Sequence, residues 1–132
     1  MVKNMDTIAN YLTLIRNSIN VKKKYVITNY SRINLNITSV LYNNNFINKY
    51  KIKKINRKKK IKIYLKYIKN RSIIRYIKRI SKPSLRKYVK YKEIKKVLKG
   101  YGISIISTSM GVITGYEAVS RKIGGEILCI IY

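Results

Sequence analysis

The sequence predicts an α+β protein built of two small lobes. An N-terminal α/β lobe sets two helices on a small sheet, and a C-terminal lobe is mostly antiparallel β with short helices. Three observations lead there. Up to about residue 45, apolar side chains recur at helical spacing in two stretches separated by a short β-prone run. From Ile47 onward, short runs of Ile, Tyr and Val alternate with Lys between turn-forming residues, the pattern of half-buried strands. The chain has 132 residues, enough for one modest core or two small lobes but not for two large domains.

The first lobe is expected to span 1–70. Asp6 stands where it can cap a helix whose apolar face is Ile8, Leu12, Ile15 and Ile19. Residues 21–28 read as a linker and a short strand. Ser31 then caps a second helix with Ile33, Ile37, Val40 and Leu41 on one face, closing at Asn43-Asn44-Asn45. Asparagine is the usual substitute for glycine where a helix ends in the left-handed conformation. Two strands follow, 47–55 and 61–67, joined by a charged tip, Asn56 to Lys60. In the second strand Ile61, Ile63, Leu65 and Tyr67 face one way, and Lys62, Tyr64 and Lys66 the other.

The second lobe is expected over 71–132, after a joint at 69–72. Residues 73–80 and 85–90 read as strands flanking a turn at Ser81-Lys82-Pro83-Ser84. A short helix is expected over 93–99, stopped by Gly100. Ile103 to Ile106 is β-prone. Thr114 and Glu117 have the spacing of a capping box, so a helix should begin there and end near Gly124-Gly125. Beyond Glu126 the chain is apolar on both faces, as expected of an inner strand.

Composition narrows the function. There are 31 Lys and Arg against four acids, a net charge of +27, yet 46% of residues are hydrophobic. That is too apolar for a disordered basic tail, and a charge so far from zero calls for a polyanionic partner. No apolar run approaches the ~20 residues of a spanning helix, and the basic residues are not confined to one helical face. Nucleic acid is therefore the expected partner. With no histidine and one cysteine, Cys129, the common zinc clusters, an internal disulfide and a Cys–His nucleophile pair are all excluded. No metal, cofactor or small-molecule substrate is expected, and the chain does not read as an enzyme. Lys, Asn, Ile and Tyr dominate, and all have A/T-rich codons. Such a bias points to a very A+T-rich genome, as in a reduced plastid or apicoplast, a mitochondrion or an endosymbiont. The first helix begins within a few residues of Met1, so no transit peptide is expected.

The stretch from Gly102 to Ala118 stands apart: seventeen residues without a basic side chain, carrying three consecutive hydroxyls, Ser107, Thr108 and Ser109. Locally this reads either as a buried strand ending in a hydroxyl-stabilised turn or as a surface of small donors and acceptors. Glu126 reads either as a turn residue satisfying the Gly124-Gly125 amides or as an acceptor at a binding face. The run Gly102-Ile-Ser-Ile-Ile-Ser-Thr-Ser-Met-Gly-Val-Ile-Thr114, followed by Glu117-Ala118 and Gly124-Gly125-Glu126, resembles the C-terminal signature of a ribosomal protein family. The family is the eighth protein of the small subunit, in its bacterial and plastid form. The run from Asp6 to Asn17 resembles that family's opening helix, and Ser81-Lys82-Pro83, Arg86 and Tyr88 match its pattern. The chain departs from it at Thr7, often proline, and at Asn45 and Ser84, usually glycine. If position 84 requires positive φ, Ser84 is strained.

The resemblance implies a structural constituent of the small ribosomal subunit that binds the central domain of small-subunit rRNA through its second lobe, among other small-subunit ribosomal proteins. Carried over by motif, Ser107, Thr108, Ser109 and Glu126 would contact the RNA. Ser81, Lys82, Arg86 and Tyr88 would flank that contact, with Ser31 and Arg32 as secondary contacts from the first lobe. The short hydroxyls suit the wide minor groove of double-stranded RNA. The rival reading is a generic polycation, either a nucleoid-type compactor or a membrane-surface protein, in which Ser-Thr-Ser and Gly-Gly-Glu would have no role.

Overall fold

The structure is a computed structural model that describes residues 6–94 and 102–132. Contacts among the described residues divide the chain into two compact units, one within Thr7–Arg75 and one within Tyr76–Tyr132, the latter joined by Asp6. The architecture is the mixed α+β one expected: helices on a small sheet, then an antiparallel sheet with a short helix.

In the first unit, α1 (Thr7–Asn20) and α2 (Arg32–Asn43) pack on a sheet of order β1-β3-β2, formed by β1 (Tyr25–Asn29), β2 (Ile47–Ile55) and β3 (Lys58–Leu65). Helical spacing brings Ile8, Leu12 and Ile15 from α1 inward, with Ile37, Val40 and Leu41 from α2, onto Val26, Ile61, Ile63 and Leu65 of the sheet. Tyr11 is buried too, where Ile19 was expected and is only half-buried. The Tyr11 hydroxyl reaches Thr38 Oγ1 at 2.5 Å, which in turn donates to the Asn34 carbonyl at 2.7 Å. A polar chain thus crosses the helix pair with its hydroxyls satisfied.

The turns of this unit rest on left-handed residues. Ser31 Oγ caps α2 by accepting from the Asn34 amide at 3.1 Å, and α2 closes on Asn45 at φ +64°, as its asparagine run predicted. The β2–β3 tip is tighter than expected. Asn56 and Arg57, at φ +51° and +66°, form a two-residue turn, and Lys58 to Lys60 already belong to β3. Positive φ at both central residues matches the twist of the flanking strands. Residues 69–72 form a second small hairpin, in which Lys69 and Asn70 (φ +52° and +66°) link β4 (Tyr67–Ile68) to β5 (Arg71–Ser72).

The second unit contains β6 (Ile77–Arg79), β7 (Tyr88–Val89), a 3-10 turn (Tyr91–Glu93), β8 (Ile103–Thr108), β9 (Gly111–Thr114), α3 (Gly115–Ser120) and β10 (Gly125–Ile131). The sheet order is β6-β10-β8-β9, and β7 also pairs with β10. The last strand is therefore interior, as its two apolar faces required. The strands expected at 73–80 and 85–90 are shorter than read: the regular strands cover only 77–79 and 88–89, with Tyr76, Ile80, Ser81 and Lys87, on either side of the turn at 82–85, adding backbone bonds to the last strand or to Tyr132. Ser84 does not have positive φ, so no strain arises there. Of the helix expected over 93–99, the start is only a 3-10 turn, and 95–99 lie outside the described residues. Thr114 caps α3, its hydroxyl accepting from the Glu117 amide at 3.2 Å. The helix ends at Ser120, earlier than the glycine pair, because Lys122 takes the left-handed position at φ +57°.

Arg79 organises the polar edge of this unit. Its guanidinium holds Asp6 bidentately at 3.0 and 3.2 Å and donates to the Leu128 carbonyl at 2.6 Å. Cys129 is buried in β10, and burial pushes its thiol up to about 12, so it behaves as a small core residue. Among the described residues, no helix is long and apolar enough to cross a membrane.

The Asn45 turn gives a direct test. Asn45→Gly should leave thermal stability unchanged or slightly raised, whereas Asn45→Ala should lower it by about 1 kcal/mol, since a β-carbon there meets the left-handed penalty without asparagine's local compensation. Circular-dichroism melts of both variants check the pair.

Candidate nucleic-acid interface

Strand pairing brings the distant motifs of the second unit together. Glu126, near the start of β10, lies opposite Tyr88 of β7 on one side and opposite Ser107 of β8 on the other. Directly paired residues point to the same face of a sheet. Tyr88, Glu126 and Ser107 thus form one row across three strands, although up to 38 positions separate them in the chain. Tyr88 is 70% exposed, an unusual setting for an aromatic ring.

The row depends on close backbone contact. A β-carbon on Gly125 would lie 2.2 Å from the Ser107 carbonyl oxygen, and one on Gly124 would lie 2.3 Å from that of Val89. Only glycine lets β10 enter between β7 and β8 at this end. The Gly-Gly-Glu motif is therefore a steric requirement followed by the residue it delivers.

The Glu126 carboxylate does not turn back to the glycine amides. The Ser81 hydroxyl donates to its Oε2, and Arg86 Nη1 donates to the same oxygen at 3.0 Å. Ser81 is fully buried and also accepts from the Lys87 amide at 3.2 Å, so the turn carrying Ser81, Lys82 and Arg86 is fastened to the row. Partial burial acts to raise the Glu126 pKa. The hydrogen bonds from Ser81 and Arg86, with the charge of Arg86, outweigh it and hold the carboxyl below its ordinary 4.5. Glu126 is thus ionised at neutral pH, with Arg86 half-exposed beside it.

The three hydroxyls divide in role. Thr108 closes the β8–β9 turn, donating to the Gly111 carbonyl at 2.8 Å and accepting from the Met110 amide at 3.1 Å. The stabilised-turn reading is therefore satisfied by Thr108 itself. Ser109 is exposed on the same turn and Ser107 is half-buried in the row. Neither hydroxyl is hydrogen-bonded among the described residues. Lys82 is exposed at its turn. Ser31 and Arg32 belong to the other unit, where Ser31 serves as the α2 cap and Arg32 is exposed. Sequence reasoning found each member of the row but not the bond network. The Ser81–Glu126 contact spans 45 residues, and no local pattern signals it. Among the described residues there is no cluster of side chains able to hold a metal ion.

The chain is thus a basic two-unit α+β protein whose second unit carries an ordered polar row across three strands. The family model described as ribosomal protein S8 matches residues 6–132. The chain is 47% identical over 129 residues to the small ribosomal subunit protein uS8 of Azobacteroides pseudotrichonymphae, covering 96% of this chain and 98% of that one. It is 49% identical to the protein of the same name from Syntrophus aciditrophicus, covering 96% and 97%, and 44% identical to that of Christiangramia forsetii, covering 98% and 99%. The chain belongs to the ribosomal protein S8 family and is a structural constituent of the small ribosomal subunit.

The Glu126 network should leave a mark on acid stability. Its folded pKa is depressed, so its contribution is present above the unfolded value and is lost as pH falls through the folded one. Between about pH 5 and pH 3 the native protein should lose melting temperature more steeply than Glu126→Gln, whose neutral amide does not titrate. Parallel melts across that range check the difference in slope.

Proposed function

We propose that the row Tyr88–Glu126–Ser107, with Ser109, Thr108 and the flanking Ser81, Lys82 and Arg86, is the surface through which this protein grips the central domain of small-subunit rRNA. The observation that supports this best is the state of Glu126. A partly buried carboxylate kept ionised at the polar end of a strand, in a chain of net charge +27, serves no phosphate contact. It can hold Arg86 and Ser81 in place and accept from base amino groups. Ser107 and Ser109 offer small donors and acceptors to 2′-hydroxyls and base edges in a wide minor groove. Tyr88 offers a ring face and Lys82 a phosphate contact. Ser31 and Arg32 contribute secondary contacts from the first unit. Within the subunit the protein sits beside other ribosomal proteins.

We also favour an A+T-rich organelle, a plastid or apicoplast, as its compartment. The support is the dominance of Lys, Ile, Asn and Tyr throughout the chain. Fractionation that recovers the protein only from ribosomes outside any organelle would overturn that assignment.

Specificity for one RNA site is the central expectation. At about 0.2 M monovalent salt the protein should prefer its rRNA fragment over tRNA by roughly 10³-fold, the margin typical of specific over non-specific binding in DNA systems, while at low salt both bind tightly. Equal loss of the two signals in filter binding favours a generic polycation. Replacing the hydroxyls, Ser107→Ala with Ser109→Ala, should cost about 0.5–1.5 kcal/mol of specific affinity per lost hydrogen bond and little stability.

Glu126→Gln separates the readings by sign. At a generic polycation it removes repulsion and raises affinity for every RNA. At the proposed site it lowers specific affinity by about 1–3 kcal/mol while tRNA binding holds or improves. Titration of both RNAs against the same preparation decides between them.

A further inference from the structure

The four acids of the chain, Asp6, Glu93, Glu117 and Glu126, all lie outside Thr7–Arg75. That unit carries 18 Lys and Arg and no carboxylate side chain. Five of these cations, Lys49, Lys51, Lys53, Lys60 and Lys62, share one face of the sheet. In the β1-β3-β2 sheet, Ile61, Ile63 and Leu65 of the central strand face the helices, so Lys60, Lys62 and Tyr64 face away from them. The pairing register sets Lys62 directly opposite Lys51 and Lys60 directly opposite Lys53, with Tyr64 between Tyr25 and Lys49.

Like charges directly opposite on one face are destabilising, yet this face has two such pairs in succession. Neighbouring rings hold two ammonium groups of this face, those of Lys62 and Lys49. Lys62 Nζ lies 4.1 Å from the Tyr25 ring centroid and 5.1 Å from that of Tyr64, and Lys49 Nζ lies 4.6 Å from the Tyr64 centroid. The nearby Lys62 ammonium also holds the Tyr64 phenol below its ordinary range, while Lys60 donates to Asn29 Oδ1. These rings are occupied by cations, which places their role in fixing ammonium positions rather than in stacking bases. Along each strand the lysines repeat every second residue, an advance of roughly 6.7 Å, on the scale of the contour spacing of phosphates along a polynucleotide.

We propose that the solvent face of this sheet is a second RNA-binding surface, a lysine lattice that tracks the phosphate backbone of a strand without reading its sequence. Its ligand is the sugar–phosphate chain itself, so its signature is salt dependence and not discrimination between sequences. The proposal concerns residues separate from the Glu126 row and stands whether or not that row is the specific site.

The test uses the full-length protein and a poly-uridine oligonucleotide. The triple variant Lys51→Gln, Lys53→Gln, Lys62→Gln should lower the slope of log affinity against log salt by about 2, from a single-strand coefficient of about 0.7 per phosphate contact. A control of equal charge, Lys22→Gln, Lys69→Gln, Lys122→Gln, removes three exposed turn lysines and should change that slope by well under one unit. Equal slopes for the two triples would overturn the lattice and leave only net charge. Preference for the rRNA fragment over tRNA should be retained in the sheet triple, which separates this face from failure of the specific site. Relief of the opposed charges should raise the melting temperature of the free protein at low salt, with the gain disappearing near 1 M. A lower melting temperature, or a larger loss on phosphatidylserine vesicles than on poly-uridine, would also overturn the proposal.

Discussion

The C-terminal unit depends on the pairing of β10 with its neighbours. This strand pairs with β6 and β7 along one edge and with β8 along the other, so its backbone links three otherwise separate segments. Its apolar half, Leu128, Cys129 and Ile131, is buried, and its polar end carries Glu126. Core packing and the candidate site thus lie on one strand. The hydrophobic end holds the register, and the register decides that Glu126 meets Tyr88 and Ser107. A slip of one residue would turn the carboxylate into the core.

Charge imposes a different logic on each half of the molecule. In the C-terminal unit every described carboxylate is engaged. Asp6 holds Arg79, Glu126 holds Ser81 and Arg86, Glu117 meets Arg121, and Glu93 accepts from the Lys90 amide. Four acids are placed where order is needed and nowhere else. The N-terminal unit dispenses with carboxylate side chains and relies on aromatic rings and long apolar lysine stems to tolerate its cations. One unit is built for geometry, the other for field.

Much of this was readable in advance. Ser31, Thr114 and Asn45 announced their caps through residue type, because capping is local chemistry with few alternatives. The alternation in β3 and the two-sided apolarity of β10 announced burial in the same way. Strand length was less readable. Segments 73–80 and 85–90 have β-prone composition, but pairing needs a partner ladder, and partners are a tertiary matter. Tyr11 was missed as a core residue because its hydroxyl marks it polar until Thr38, 27 positions away, satisfies it. The Glu126 row was legible as residues and not as a row. Motif spacing identified its members, while only sheet register made them neighbours.

The left-handed turns carry a consequence for how such a chain withstands mutation. Among the described residues, seven non-glycine residues have positive φ, including Lys22, Asn45, Asn56 and Lys69. Each accepts a modest dihedral penalty that a stable fold absorbs. Glycine stands instead at Gly125, where any β-carbon would strike the Ser107 carbonyl oxygen, and at Gly111, whose φ of +106° lies outside the left-handed helical region open to asparagine or lysine. The protein thus separates positions where glycine is merely favoured from those where nothing else fits. A genome drifting toward A+T can exchange GC-rich glycine codons for asparagine and lysine at the first kind many times over. At the second kind, a single exchange strains the backbone at Gly111 or drives the start of β10 away from β8 at Gly125.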